Sequence, residues 1–156
     1  MSRDFSRGQP VSYTGRLYTA RDAAIKRIFA EGRAPFGAEA YIYFAGPSAA
    51  PPGMPVGSIG PTTSGRMERY LEGLFKMGVR GFVGKGGFGR ESAGLFRLYG
   101  GCYLCAVGGA GALYAACVRN VSVIAYPELG CEAVRALDVE NMPLICGIDS
   151  NGESIF

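Results

Sequence analysis

The sequence contains no histidine. This excludes a Ser-His-Asp triad, a histidine zinc site and a histidine general base within the 156 residues. Acid–base chemistry on this chain would therefore need a carboxylate, a lysine, a tyrosine, a cysteine, an unusual hydroxyl, or a group supplied by another chain.

Strong charge, long apolar runs and a secretory pattern are also missing. The formal net charge is +3 and the basic residues are scattered, so the composition does not indicate a nucleic-acid partner. No apolar run reaches the ~18–20 residues of a membrane helix, and the first residues lack the apolar core of a signal peptide. Five cysteines, an odd number, suit a reducing compartment. We therefore expect a cytoplasmic protein.

Length and composition predict one compact domain. With 156 residues, 48% of them apolar, the chain can bury a core. Residues 1–10 are polar and are expected to form a flexible N-terminal tail, which leaves a single domain over residues 11–156. Strand and helix patterns alternate in the second half of the sequence. That alternation favours an α/β sheet with some parallel pairing.

Local patterns predict the elements of this domain. A strand over 11–18 precedes a helix that Thr19 would cap and Gly32 would end. A strand over 40–45 leads into a segment rich in proline and glycine, residues 46–61, whose length is typical of functional loops. The remaining predictions are helices over 64–77, 91–99, 110–118 and 128–136, strands over 79–83, 102–107, 121–125 and 144–148, and a return arm over 153–156.

The segment GPTTSGRM, residues 60–67, is the strongest candidate for a binding site. It places hydroxyls at the start of a predicted helix, where free N–H groups and the helix dipole favour anions. Thr62, Thr63 and Ser64 supply the hydroxyl donors, and Arg66 supplies a planar fork suited to a carboxylate. The alternative is an ordinary helix cap beside a solvated arginine.

Two further cations follow predicted strands. Lys85 lies in the glycine loop GKGGFG, residues 84–89, which matches GxGxxG spacing without the accompanying acidic residue of a dinucleotide site. Arg21, beside Asp22, stands in a first helical turn, where a positive charge is unfavourable unless an anion uses it. The alternatives are a solvated lysine on a flexible turn and a surface arginine paired with a neighbouring acid.

The cysteines do not predict a metal site. Cys102 and Cys105 form a CxxC within an apolar strand, where a period of two sends the side chains to opposite faces. No second pair stands at metal-ligand spacing, so we expect structural burial and no self-contained cluster. Arg21, Thr62, Thr63, Arg66 and Lys85 together match a small dicarboxylate, but the sequence supplies no electrophilic centre.

Six stretches carry a family resemblance at this point. They are GRLYTARDAA (15–24), YFAGP (43–47), VGSIGPTTSGRM (56–67), GFVGKG (81–86), AVGGAGAL (106–113) and ELGCEAVRALDVENMPLICGIDSNG (128–152). In this order they resemble the β subunit, or C-terminal domain, of class I iron–sulfur fumarate hydratases and L(+)-tartrate dehydratases. The resemblance covers nearly the whole chain from about residue 11.

The resemblance implies a swivelling β/β/α domain. It implies that a partner α subunit holds a [4Fe-4S] cluster whose open iron acts as a Lewis acid on a C4 dicarboxylate, in an α2β2 assembly. Fumarate is then hydrated to malate, or tartrate is dehydrated to oxaloacetate. Arg21, Thr63, Arg66 and Lys85 are implied to bind substrate. Thr62 is implied to be catalytic in proton abstraction.

One departure from the family leaves other functions open. Many relatives have histidine where this chain has Ile25, which puts the choice of substrate in doubt more than the fold. A second hypothesis is a non-catalytic anion-binding or assembly module of the same fold. A third is an independent nucleotide-binding protein that uses the GKGGFG loop.

Overall fold

The computed structural model describes residues 4–156. Its first element is a strand whose side chains alternate between core and solvent. Twelve elements follow one another along the chain. They are β1 (Pro10–Thr19), α1 (Asp22–Glu31), β2 (Tyr41–Tyr43), a first 3₁₀ helix (Ser64–Tyr70), α2 (Leu71–Lys76), β3 (Gly81–Gly84), α3 (Arg90–Tyr99), β4 (Cys102–Cys105), α4 (Gly111–Cys117), β5 (Val118–Ala125), a second 3₁₀ helix (Pro127–Glu132) and β6 (Val134–Ile148).

The six strands form one mixed sheet that closes on itself. β1, β2, β3 and β4 are parallel neighbours in that order. β6 is antiparallel to β4 and β5 along one edge and to β1 along the other. The β1–β6 pairing therefore turns an open sheet into a barrel-like one, with β5 as an extra strand on β6. The predicted α/β sheet with some parallel pairing is confirmed.

Alternate residues of the parallel strands pack into two separate hydrophobic cores. Tyr43, Val83 and Leu104 lie in a first cluster with inward residues of β1 and β6, such as Leu17 and Leu137. Their strand neighbours enter a second cluster, which packs against α1, α2 and α3; these neighbours are Ile42, Phe82 and Tyr103. Because both faces are covered, these strands are short continuous apolar runs, as is usual for parallel strands.

The start of α1 differs from its prediction. Thr19 is the last residue of β1, and its hydroxyl donates to the Ala133 carbonyl (3.3 Å) and accepts from the Arg135 N–H (3.1 Å). Arg21 occupies the N-cap position without a side-chain cap bond. The prediction that Thr19 caps α1 is therefore wrong, because its hydroxyl hydrogen-bonds to Ala133 and to Arg135 at the start of β6. Gly32 does end the helix, in the left-handed conformation with φ 66°.

The largest error concerns residues 128–136, which were predicted as a helix. A 3₁₀ helix over Pro127–Glu132 is followed by β6, which runs for 15 residues from Val134. The apolar spacing in this stretch is locally compatible with a helix. However, β6 pairs with β1 on one edge and with β5 on the other, and this double pairing requires an extended backbone. The predicted strand over 144–148 is the last part of β6, and the helix predicted from Ser64 begins as a 3₁₀ helix.

Both ends of the described chain are tied to β6. The Gly8 N–H donates to the Cys146 carbonyl (2.7 Å) and the Cys146 N–H to the Gln9 carbonyl (2.9 Å), so this part of the predicted tail is paired. Residues 1–3 of that tail lie outside the described residues. The Ile155 N–H donates to the Gly147 carbonyl (3.0 Å), as expected of a return arm. Between residues 4 and 156, the helices are too short or too polar to cross a membrane.

Candidate functional site

The predicted site residues follow the carboxyl ends of three adjacent parallel strands. Arg21 comes after β1, Phe44 directly after β2 and Lys85 directly after β3. Since β1, β2 and β3 are parallel neighbours, these ends meet at one edge of the sheet. The edge outside the carboxyl ends of parallel strands is where α/β proteins usually bind their ligands.

The threonine segment inserts between the ends of β2 and β3. The Thr62 N–H donates to the Phe44 carbonyl (2.7 Å), and the Lys85 N–H donates to the Thr62 carbonyl (3.3 Å). The Ser64 N–H completes the bridge to the Lys85 carbonyl (3.0 Å), and Thr63 pairs with Lys85 in parallel register. Backbone hydrogen bonds thus hold the two strongest sequence motifs side by side.

Arg66 reaches back over this segment. Its Nη2 donates to Thr62 Oγ1 (2.9 Å) and lies 3.4 Å from Asp22 Oδ2. The Arg66 side chain is 52% exposed, so the ion pair contributes little stability and leaves other N–H donors facing solvent. Asp22, Gly65, Arg66 and Glu68 line an open depression at this point.

Lys85 extends across the loop that follows β4. A Cβ placed on Gly108 would lie 3.4 Å from Lys85 Cδ and 3.8 Å from Nζ, so the absence of a side chain at Gly108 leaves the lysine its path. Lys85 is exposed. No carboxylate within residues 4–156 forms a salt bridge with it. Its ammonium is therefore free to meet an anion.

Arg21 lies at the next strand end, with its side chain along a different wall. A Cβ on Gly46 would be 3.2 Å from Arg21 Cδ and 2.7 Å from the Cys131 carbonyl oxygen, so the arginine packs beside the loop after β2. Arg21 Nε is buried and has no hydrogen-bond partner within the part of the chain that the structure describes. Buried donors are nearly always paired in native proteins, so this one is suited to an acceptor from a ligand.

The structure thus brings Thr62, Thr63, Arg66 and Lys85 together, and places Arg21 after the neighbouring strand, beside Gly46. Sequence reasoning did not identify Glu68, whose Oε1 accepts from the Gly89 N–H (2.7 Å) and from Ser92 Oγ (2.5 Å). These bonds join the 3₁₀ helix to the far end of the glycine loop. No sequence pattern marks a pair of partners so far apart in the chain.

The five cysteines are free. Cys102 is buried in the first cluster and Cys105 packs against the second, which confirms that the CxxC side chains point to opposite faces. Burial raises the pKa of Cys105 to about 11 and that of Cys146 to about 12, so both remain thiols at neutral pH. Over residues 4–156 no three His, Cys, Asp or Glu side chains are grouped to hold a metal, so these residues do not fit an iron–sulfur cluster.

Comparison with known proteins gives consistent matches. A family model described as Fumarase C-terminus matches residues 2–156. The "Fumarate hydratase class I, anaerobic" of Escherichia coli (strain K12) is 34% identical in an alignment that covers 94% of this chain. "Fumarate hydratase 2" of Leishmania major is 34% identical in an alignment that covers 96% of this chain. "Putative L(+)-tartrate dehydratase subunit beta" of Methanocaldococcus jannaschii is 41% identical in an alignment that covers 96% of this chain.

The share of each relative that is matched differs. The chain spans 28% of the length of the Escherichia coli and Leishmania major fumarate hydratases. It spans 82% of the Methanocaldococcus jannaschii subunit. The chain therefore corresponds to about a quarter of one kind of relative and to most of the other.

Proposed function

Because the chain belongs to the fumarase C-terminal family, we propose that it is the substrate-binding β subunit of a hydro-lyase that reversibly hydrates fumarate to malate. The observation that carries the proposal is the joining of Thr62, Arg66 and Lys85 at one sheet edge. We also assign the mixed, barrel-like sheet with its covering helices to the swivelling β/β/α type.

Two cations at this edge suit the two carboxylates of a C4 dicarboxylate. The Arg66 guanidinium is anchored by Asp22 and Thr62 on one side and presents its remaining donors to solvent. The Lys85 ammonium lies on the neighbouring strand end, and no carboxylate among the described residues forms an ion pair with it. Thr63, which is exposed between them, adds a hydroxyl donor. Arg21, with its unpartnered Nε, supplies a further donor.

Thr62 is assigned the proton transfer. A threonine hydroxyl is a poor base by itself, and it needs an environment that stabilises negative charge on the oxygen. The Arg66 Nη2 donates to Thr62 Oγ1 at 2.9 Å, which favours charge on that oxygen. An acidic group of the partner chain would receive the proton. The geometry supports Thr62 for this role because Arg66 contacts its hydroxyl directly.

The electrophilic centre is placed on the partner. The cysteines of this chain do not converge on a cluster site, so we assign the [4Fe-4S] cluster to an α subunit that holds it. A chain that spans 28% of the fumarate hydratases and 82% of a protein named as a subunit beta fits this division. We place the α2β2 assembly in the cytoplasm.

Tartrate dehydration is the second candidate. The observation that favours it is the 41% identity to the Methanocaldococcus jannaschii protein, over 82% of that protein's length. Tartrate differs from malate by one hydroxyl, and sites that hydrogen-bond a substrate hydroxyl discriminate strongly against a substrate lacking it. The same carboxylate-binding edge serves either substrate.

The proposal is tested by anaerobic purification of the chain with its bound partner, followed by assays on fumarate, malate and L-tartrate. We expect activity to copurify with an iron–sulfur chain. The variant Arg66→Ala is expected to lower kcat/KM by about tenfold to a hundredfold, the usual loss for a hydrogen bond to a charged group.

Arg119→Ala is the matched control. Its side chain is also 52% exposed and also paired with a carboxylate, but on β5, and we expect unchanged kinetics. A preparation that is iron-free and inert on all three substrates would overturn the proposal and favour the non-catalytic anion-binding module. Nucleotide binding without a partner or iron would favour the third hypothesis.

A further inference from the structure

A tyrosine hydroxyl beneath the candidate site connects its two halves. Tyr103 lies in β4 with its ring fully buried in the second cluster. Its hydroxyl is 2.8 Å from Ser64 Oγ and 2.6 Å from the Gly86 carbonyl oxygen. Ser64 is fully buried as well, so the Ser64–Tyr103 bond is shielded from water, while the bond to Gly86 is partly buried.

The direction of these bonds follows from the available protons. A carbonyl only accepts, so the single hydroxyl proton of Tyr103 goes to Gly86. The Ser64 hydroxyl must then donate to Tyr103 Oη. Burial raises the pKa of Tyr103 well above its usual range, against a smaller opposing effect of the Ser64 hydrogen bond, so the proton stays in place at any working pH. The chain Ser64–Tyr103–Gly86 is thus fully satisfied and directional.

The chain connects residues that adjoin the site rather than the site residues themselves. Ser64 follows Thr62 and Thr63 and begins the 3₁₀ helix that carries Arg66. Gly86 directly follows Lys85 and has the positive φ of 77° that favours glycine.

The packing around Ser64 and Tyr103 leaves room for their hydroxyls and holds the tyrosine ring in place. A Cβ on Gly84 would overlap Ser64 Oγ, so the glycine gives the serine its room. The Tyr103 ring is held by Phe88 at a centroid distance of 4.8 Å and by Phe156 at 6.2 Å. Because the ring is packed on two sides, its hydroxyl is held in place. It can therefore fix the positions of the two segments that contain Ser64 and Gly86.

We propose that Tyr103 is a positioning residue, whose hydroxyl sets the distance between the Lys85 and Arg66 cations and so matches the site to a dicarboxylate. The inference rests on the proposed function. Tyr103 itself touches neither cation in a described hydrogen bond and acts through the Ser64 hydroxyl and the Gly86 carbonyl. Small displacements of binding groups are costly because the two carboxylates of one substrate have a fixed separation.

The first test is Tyr103→Phe in the purified complex, which removes the hydroxyl and keeps the ring. We expect KM for the dicarboxylate to rise about five- to tenfold, as for loss of one well-placed hydrogen bond, with kcat within about twofold. Tyr13→Phe is the matched control. Tyr13 is also buried, donates to the Arg16 carbonyl (2.9 Å), and lies in β1 away from Lys85. It is expected to leave KM unchanged.

A double-mutant cycle separates positioning from simple destabilisation. In a Lys85→Met background, the effect of Tyr103→Phe on kcat/KM should shrink to within about twofold, since the group it positions is gone. An equal fold-loss in both backgrounds would overturn the inference, because Tyr103 would then not act through Lys85. A KM for Tyr103→Phe equal to that of the wild type would overturn it too.

Hydrogen exchange gives a readout that needs no activity. The Ser64 and Lys85 N–H groups bond across the two segments, to Lys85 and Thr62 carbonyls respectively. Tyr103→Phe should speed their exchange several-fold in the complex, and Tyr13→Phe should not. Unchanged exchange would overturn the positioning role while the proposed function stands. Faster exchange in a complex inert on dicarboxylates would support the positioning role and refute the proposed function instead.

Discussion

At the residue scale, one arginine organises a hydroxyl that is otherwise chemically unremarkable. Thr62 is half-buried, its backbone is held by Phe44 and Lys85, and its Oγ1 accepts from Arg66. Thr63 is exposed and has no such contact to Arg66. Neighbouring threonines of the same motif therefore stand in different environments.

We predict that Thr62→Val lowers kcat by at least about a hundredfold, the usual size of a general acid–base contribution, with a small change in KM. Valine keeps the shape of threonine and removes only the hydroxyl. Thr63→Val should instead raise KM with kcat nearly unchanged. Steady-state kinetics of the complex measures both, and Thr62→Ser, which restores a hydroxyl, is the control. A loss of kcat in Thr63→Val alone would transfer the catalytic role to Thr63.

Ile25 shows how a departure from a family pattern is read in structure. Its side chain is fully buried in the second cluster beneath α1. A side chain with no exposed surface cannot touch a ligand at the sheet edge. In this chain, position 25 therefore contributes to packing.

At the element scale, glycine plays different roles at the end of one helix and in the interior of another. α1 ends at Gly32, whose φ of 66° turns the chain so that the Arg33 N–H reaches the Ile28 carbonyl (3.3 Å). α3 contains Gly94 at an exposed interior position where an added Cβ would meet nothing within 4 Å. The same residue type is required in one helix and dispensable in the other.

We predict opposite effects for the same substitution at these glycines. Gly32→Ala should lower the free energy of unfolding by about 1–2 kcal/mol, because a side chain is strained in the left-handed region. Gly94→Ala should raise it by about 0.5–1 kcal/mol through helix propensity. Thermal unfolding of both variants measures the difference. Two shifts of the same sign would contradict the boundary assigned to α1.

At the scale of the whole molecule, the β1–β6 pairing closes the sheet. β6 pairs with β1 along one edge and with β5 and β4 along the other, which leaves most of its length covered. The described residues group no metal ligands. Under the proposed function, the sheet edge of this chain would bind the substrate and the partner would hold the electrophile.

We predict that chelating the iron of the purified complex abolishes hydration activity but leaves this chain folded. Peptides from β1 and β6 should keep their protection from hydrogen exchange, because no part of their pairing depends on metal. Exchange measured by mass spectrometry before and after chelation tests this, with reconstitution of iron as the control. Lost protection in β1 or β6 would contradict a metal-independent fold.

Much of this molecule could be predicted from the sequence by itself, where the governing forces are local. The strand over 11–18, the helix that ends at Gly32, the helix over 91–99 and the split faces of Cys102 and Cys105 follow from periodicity and backbone preference. The family also followed from the sequence, because GPTTSGRM and GKG occur together in order.

Other features were decided only by tertiary structure, because their partners are distant in the chain. Thr19 had good local chemistry for a cap, yet it bonds beside β6. Residues 134–136 fit a helix locally, yet pairing with β1 and β5 makes them strand. The link from Ser64 through Tyr103 to Gly86 has no sequence pattern at all. Local patterns predict which groups are candidates for anion binding, and long-range pairing determines how far apart those groups lie.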